Sequence, residues 1–398
     1  KKIYGNLGKL IVMDIAAKNF WSAEFFQEVE KFTEDLEEYK KCDEAREDAR
    51  LKRFRDIITQ GVFEREKIVA AFEDDPVYAR AVRRALSALP LHGKILNPVL
   101  LAEAEKTLLK MKDLKKQKLI DRIITPVTIQ NVSGKDDTLK VVHLVPEDKE
   151  GKRIIPKTAA DFDTYKKELF KNPAFEGALF AKDKATGEIT GFAAIIRFEN
   201  IKKDDEISRE IWSIAKSYDT IEITPQGIPI TNMFMSDYMK RDLLSFLPLV
   251  LLVVLVVFYL NFRTIRGMLL PMGTLLLTDI WIMGLMGHLG VNITVVGTSL
   301  PALMVSVGSS YSIHILNQYY IDLSSILSAG KKRGLNLAMS HISITVMLAG
   351  FTTFVGFASL ATNQVTGIRD WGIFSAIGVV FAVLISTSMI PAVLMLVP

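Results

Sequence analysis

Two regimes of hydrophobic patterning meet near Asp242. Upstream, apolar positions recur at strand and helix spacing among many charges. Downstream, residues 243–398 run almost unbroken in apolar character and contain no glutamate. A hydrocarbon core about 30 Å thick needs about 20 apolar helical residues to cross it. Five such runs occur, at about 243–260, 267–286, 298–317, 341–361 and 371–397. Four carry a proline near one end (Pro248, Pro271, Pro301, Pro391), which a membrane helix accommodates because neighbouring groups satisfy the released carbonyls. The pattern therefore predicts an all-α transmembrane bundle over 233–398.

The upstream part reads differently. Residues 9–17 alternate as a strand, and 22–40 carry apolar residues at helical spacing with an acidic, solvated face. The β-branched stretches 124–132 and 139–146 flank Ser133-Gly134-Lys135-Asp136-Asp137, a hairpin turn. A helix follows at 159–171, then a hairpin of 177–182 with 190–198, a helix at 206–217 and an extended segment at 220–230. This order predicts α+β layers, with helices on one face of a mixed sheet. Residues 42–122, dense in Lys, Arg, Glu, Asp, Ala and Leu, read as amphipathic helices inserted into that unit and broken near Pro90 and Gly93, with His92 at the surface; a solvated appendage is the plainer reading, a docking surface or a lipid-shielding lid the alternative. The domain reading is an α+β unit from 1–41 and 123–232, a helical insertion at 42–122, and the bundle.

Charge adds an orientation. The 261–266 and 318–340 loops hold Arg263, Arg266, Lys331, Lys332 and Arg333 against one Asp322, whereas 287–297 and 362–370 hold only Arg369 and Asp370. The positive-inside rule makes the first side cytoplasmic, so residues 1–232 are expected to be extracytoplasmic. A further crossing is expected before Lys1, since an exported domain needs a signal or an anchor. The 49 Lys and Arg nearly balance 45 Asp and Glu, net +4, which gives no reason to expect a nucleic-acid partner. A lone Cys42 excludes an internal disulfide, and the five histidines show no metal-ligand spacing. With no phosphate loop or nucleophile elbow either, the chain is not expected to be an enzyme or to hold a cofactor.

The membrane helices are unusually polar. The third runs Thr298-Ser299-Leu300-Pro301 and then Gly308-Ser309-Ser310-Tyr311-Ser312-Ile313-His314, the fourth holds Gly350, Thr352, Thr353 and Gly356, and the fifth opens on Trp371-Gly372 ahead of Ser375 and Gly378. Small residues at this density make packing faces. With the Asn261-Phe262-Arg263 turn, the segment TTFVGF at 352–357 and the closing Ile390-Pro391-Ala392, the chain resembles the resistance-nodulation-division superfamily, in its MMPL-like branch of hydrophobe and lipid exporters. The resemblance implies that the five helices are helices two to six of a twelve-helix transporter. It also implies that 1–232 form its first porter domain, of ferredoxin-like β-α-β units. The partners implied are a membrane lipid or other hydrophobic substrate, the second half of the transporter, and either further copies of the chain or a periplasmic protein, in the cytoplasmic (inner) membrane.

Relatives of that kind commonly place an aspartate, often followed by tyrosine, midway down the helix that here spans 298–317. The matching positions are Ser310 and Tyr311, and serine does not titrate usefully. The ionisable residues well inside the runs are Asp279 and His314, and such residues are costly enough in a membrane to suggest function. Asp279, Ser310, Tyr311 and His314 are thus the ion-coupling candidates, with Asp279 expected near the depth of Ser306. The plainer readings are that Asp279 bonds neighbouring hydroxyls, that His314 bonds across a helix interface, and that Ser309, Ser310, Ser312 and Tyr311 simply pack. A sterol-sensing lipid-binding regulator and a protein-translocation accessory are the alternative functions.

Overall fold

The computed structural model describes residues 10–61, 63–89, 98–135, 138–198, 204–328 and 330–396. The chain divides into two compact units, Lys1–Phe234 and Met235–Pro398. In the first, strand β1 (Leu10–Ala16) buries Ile11, Met13 and Ile15 at every second position, as a pleated strand with one covered face must. Helix α1 (Ala23–Glu37) starts where the Ser22 hydroxyl accepts the Phe25 N–H at 3.2 Å, and it buries Phe25, Phe26, Val29, Phe32 and Leu36 along one stripe. The chain then leaves for α2 (Glu44–Thr59), α3 (Arg65–Ala70), α4 (Pro76–Ser87) and α5 (Pro98–Lys116), and returns through β2 (Ile120–Ile124). A separate ribbon of β3 (Gln130–Lys135) and β4 (Thr138–His143) follows, then α6 (Ala159–Phe170), β5 (Phe180–Lys182), β6 (Ile189–Phe198), α7 (Asp204–Lys216) and β7 (Glu222–Gln226).

The main sheet has the order β2-β6-β1-β7, with β5 on β6, and every pairing is antiparallel. The mixed sheet expected from the strand and helix order is thereby corrected. The two β-α-β crossovers, β1 to β2 and β6 to β7, interleave, so strands that run the same way are never neighbours. Two boundaries also move. The strand expected at 124–132 is two pieces: β2 belongs to the main sheet, and β3 begins only at Gln130, because Thr125 and Thr128 close a turn between them through a 2.9 Å Thr128 N–H to Thr125 carbonyl bond. The insertion accordingly ends at Lys116 and not at 122. The expected break at Pro90 and Gly93, His92, and the Asp136-Asp137 tip of the ribbon lie outside the described residues.

The insertion has its own core, in which Phe54, Phe72, Tyr78, Val82, Leu101 and Leu108 are buried together. It also packs on α1 instead of standing apart as a solvated appendage, and the acidic face of α1 is only partly solvated. Asp35 accepts hydrogen bonds from Arg84 at 2.6 Å, Arg80 at 2.8 Å and Tyr218 at 3.2 Å. Glu38 accepts from Arg50 and from Lys115, both at 2.7 Å. Carboxylates along α1 and at its C-cap thus meet the cations of α2, α4 and α5, and several of these groups are almost wholly buried. Burying charge is tolerable only when it is paired in this way.

The second unit is built on α8 (Ile228–Phe262) from Met235 onward, α9 (Ile265–His288), α10 (Leu300–Ile321), the short α11 (Leu323–Ser328), α12 (Lys331–Ala358) and α13 (Thr366–Leu396). Among the described residues five helical segments are long and apolar enough to cross a membrane. Helix starts at Ile228 and Lys331 correct the expected 243 and 341. The first helix takes in polar turns ahead of its apolar run, and the cytoplasmic loop expected at 318–340 is largely helical. Arg263, at φ 50°, takes the left-handed conformation that ends α8, and Thr264 caps α9 by accepting the Gly267 N–H at 3.1 Å.

Candidate functional site

Helices α10 and α13 carry the centre of the bundle. A Cβ built on Gly378 would lie 2.4 Å from Met304 Sδ, one on Gly308 would lie 3.7 Å from the Ala382 Cβ, and the Ser312 and Ser386 hydroxyls are 3.4 Å apart. Each step of four on one helix is matched by a step of four on the other, so the two run parallel. This is the close approach that small residues permit in membranes, where apolar side chains have no water to escape from. Helix α9 runs antiparallel to α13, with Gly273 against Met389 and Trp281 against Phe381, and so does α12, with Gly350 against Val383 and Gly372 against Phe357. The alternation fits helices that cross in turn.

Three hydroxyls join α9, α10 and α13 inside this packing. The Thr274 hydroxyl donates to the Pro271 carbonyl at 2.6 Å, so its 2.9 Å contact with Ser312 has Ser312 as donor, and Ser386 in turn donates to Ser312. Each hydroxyl has one proton, which orders the chain in a single direction. Sequence reasoning misses Thr274, Ser312 and Ser386 as a group. The available signal is the placement of Thr274 three residues beyond Pro271 and the regular spacing of Gly308 and Ser312.

Asp279 sits one turn along α9 from Leu275, whose Cδ2 lies 2.8 Å from a Cβ built on Gly308. Because α9 opposes α10 in direction, this puts Asp279 level with the turn between Met304 and Gly308, the depth of Ser306. Its exposure is 7%, and neither carboxylate oxygen has a hydrogen-bond partner among the described residues. The reading in which neighbouring hydroxyls hold Asp279 is therefore corrected: the nearby Thr278 hydroxyl donates instead to the Thr274 carbonyl at 2.8 Å. Tyr311 is likewise buried, 4% exposed, with its hydroxyl unpartnered and 3.8 Å from a Cβ built on Gly350. Ser375 on α13 and the Trp371 indole N–H also lack partners among the described residues.

Ser310 and His314 lie elsewhere. With Ser306 and Asn317 they form an exposed polar stripe on α10, on the side away from α13. The structure thus separates the four candidates into an inner pair, Asp279 and Tyr311, and an outer pair, Ser310 and His314. A polar stripe on a membrane helix is costly against lipid and belongs against protein or a wet path. No group of three His, Cys, Asp or Glu side chains suited to a metal occurs among the described residues.

A family model described as MMPL family matches residues 102–397. A protein of Methanocaldococcus jannaschii described as a membrane protein is 23% identical over 176 residues, a match covering 44% of this chain and 45% of the relative. The chain therefore spans under half the length of that relative.

Proposed function

The chain belongs to the MMPL family and is a multi-pass membrane protein, and on that premise we propose that it is part of a secondary transporter that exports a hydrophobic or amphiphilic molecule, such as a lipid, at the expense of an ion gradient. One observation carries the coupling half of this reading: a carboxyl group buried among membrane helices with both oxygens unpartnered. A group so placed gains by exchanging a proton and by finding a partner in a second arrangement of the helices, and intramembrane carboxylates serve proton relays for this reason. Tyr311, whose hydroxyl is also unpartnered, is positioned to supply such a partner when the bundle rearranges. The outer stripe of Ser306, Ser310, His314 and Asn317 is assigned to the face that meets the second half of the transporter, where His314 would extend the relay.

The split order of the main sheet supports reading the first unit as a porter domain of ferredoxin-like units. The basic residues Arg263, Arg266, Lys331, Lys332 and Arg333 support placing that unit on the extracytoplasmic side of the inner membrane. No catalytic step is assigned to the chain. The test is export of a fluorescent phospholipid from proteoliposomes holding the full-length protein under an imposed pH gradient. Gradient-dependent efflux is expected. Lipid binding without efflux would overturn the transporter reading in favour of a sterol-sensing type of regulator.

A further inference from the structure

The first unit holds a cavity of about 650 Å³ where α4 of the insertion meets α1 and α7. Five cationic side chains line it, Lys31, Arg80, Arg83, Arg84 and Lys216, against two acids, Glu28 and Asp219. These cations are not equivalent. Arg80 and Arg84 are held from behind by Asp35, and Lys31 by Glu28. Arg83 and Lys216 are exposed and make no ion pair among the described residues; Lys216 lies 5.2 Å from the centroid of the Trp212 ring. The paired arginines build a rigid wall, and the two uncommitted cations stand at the mouth. Tyr218, Ser213 and Thr220 complete a polar lining.

A second cavity of about 410 Å³ adjoins the first and shares Lys31, Arg80 and Arg83 with it. Its remaining lining is mostly apolar, Val69, Ala70, Pro76 and Ala79, with Glu66 and Glu73 at the edge. A cationic chamber thus opens through shared arginines onto an apolar groove. That sequence of surfaces is complementary to a molecule with an anionic head and a hydrocarbon tail. The head gains charge-assisted hydrogen bonds, strongest from the forked guanidinium, and the tail gains burial of apolar area.

We propose that the paired cavities between the helical insertion and helices α1 and α7 of the first unit bind an anionic amphiphile, its phosphate or carboxylate between Arg83 and Lys216 and its chain along Val69, Ala70 and Ala79. The site gives the insertion a purpose beyond packing on α1. Its role in export rests on the transporter reading above, but binding does not, so the two fail separately: the lipid-efflux assay reads the one and a titration reads the other.

The experiment titrates the full-length protein in nanodiscs with dodecyl phosphate, dodecyltrimethylammonium or inorganic phosphate, following tryptophan fluorescence with Trp212→Phe as the reference for the reporter. Saturable binding of dodecyl phosphate is expected, weakened at least tenfold in the Arg83→Ala, Lys216→Ala double variant and in Ala70→Glu, which charges the exposed wall of the groove. Inorganic phosphate bound as tightly as dodecyl phosphate, and unaffected by Ala70→Glu, would overturn the tail groove and leave a site for a soluble anion. Equal binding of the cationic amphiphile, or no loss in the double variant, would overturn the proposal altogether.

Discussion

Glycines in the bundle differ in what lies against them, and the difference sets what each substitution costs. A Cβ on Gly334 would fall 2.4 Å from the Ile326 Cα and 2.9 Å from its carbonyl oxygen, so α11 and α12 would have to part. A Cβ on Gly378 would also meet an atom at 2.4 Å, but that atom is the Met304 sulfur, the far end of a flexible side chain. Gly334→Ala is therefore expected to destabilise by roughly 1–3 kcal/mol, the usual cost of overpacking, and Gly378→Ala by less. Thermal unfolding of the two variants in one detergent checks the order, and equal midpoints would refute it. Asp279 was legible in the sequence because a charge inside an apolar run needs no structure to be noticed. Its lack of partners was not, since that depends on Thr274 and Thr278 donating to backbone carbonyls. The outward direction of Ser310 and His314 was equally hidden, because α10 is polar on more than one face and its pattern does not say which side packs.

The helices of the insertion were legible as elements, from composition, but their attachment was not. Spacing alone presents the acidic face of α1 as solvated. Only the fold brings Arg80, Arg84, Arg50 and Lys115 onto it from segments far along the chain. One consequence is a pH dependence. Burial pushes the Asp75 carboxyl up, but the two-pronged hydrogen bonds and charge of Arg50, both bonds at 2.8 Å, outweigh it and hold the group down at about 2. An unfolded aspartate titrates near about 3.9, so the stabilisation is complete above that value and is lost as pH falls through about 2. Glu38, held low by Lys115 and Arg50 against its own burial, acts in the same sense. Glu30 acts in the opposite sense, because burial there outweighs Arg153. Hydrogen exchange of α2 and α4, corrected for the intrinsic rate, should show protection at pH 5 that fades between about pH 4 and 2. Asp75→Asn should lose protection already at pH 6, since it weakens the pairing of buried Arg50. Protection in that variant equal to wild type would contradict the assignment.

At the scale of the molecule, the division into a charged unit and an apolar bundle was the most legible feature, because a run of about 20 apolar residues matches the thickness of a bilayer core and exceeds the length of an ordinary buried core helix. The interleaved sheet was less so: strand order depends on pairings between β1, β6 and β7 that no local pattern records. The helices of the bundle alternate in direction around the parallel pair α10 and α13, and the unpartnered Asp279 carboxyl is buried in that packing while α10 keeps a polar stripe on its open side. Coupling of proton movement to transport through Asp279 is the claim on which the functional reading turns. It is tested most directly by dye-reported proton flux in vesicles holding the full-length protein, comparing wild type with Asp279→Asn and His314→Ala at matched amounts and matched thermal stability. Flux should fall at least tenfold in Asp279→Asn and more modestly in His314→Ala; undiminished flux in a stably folded Asp279→Asn would contradict the claim and leave these helices as a scaffold.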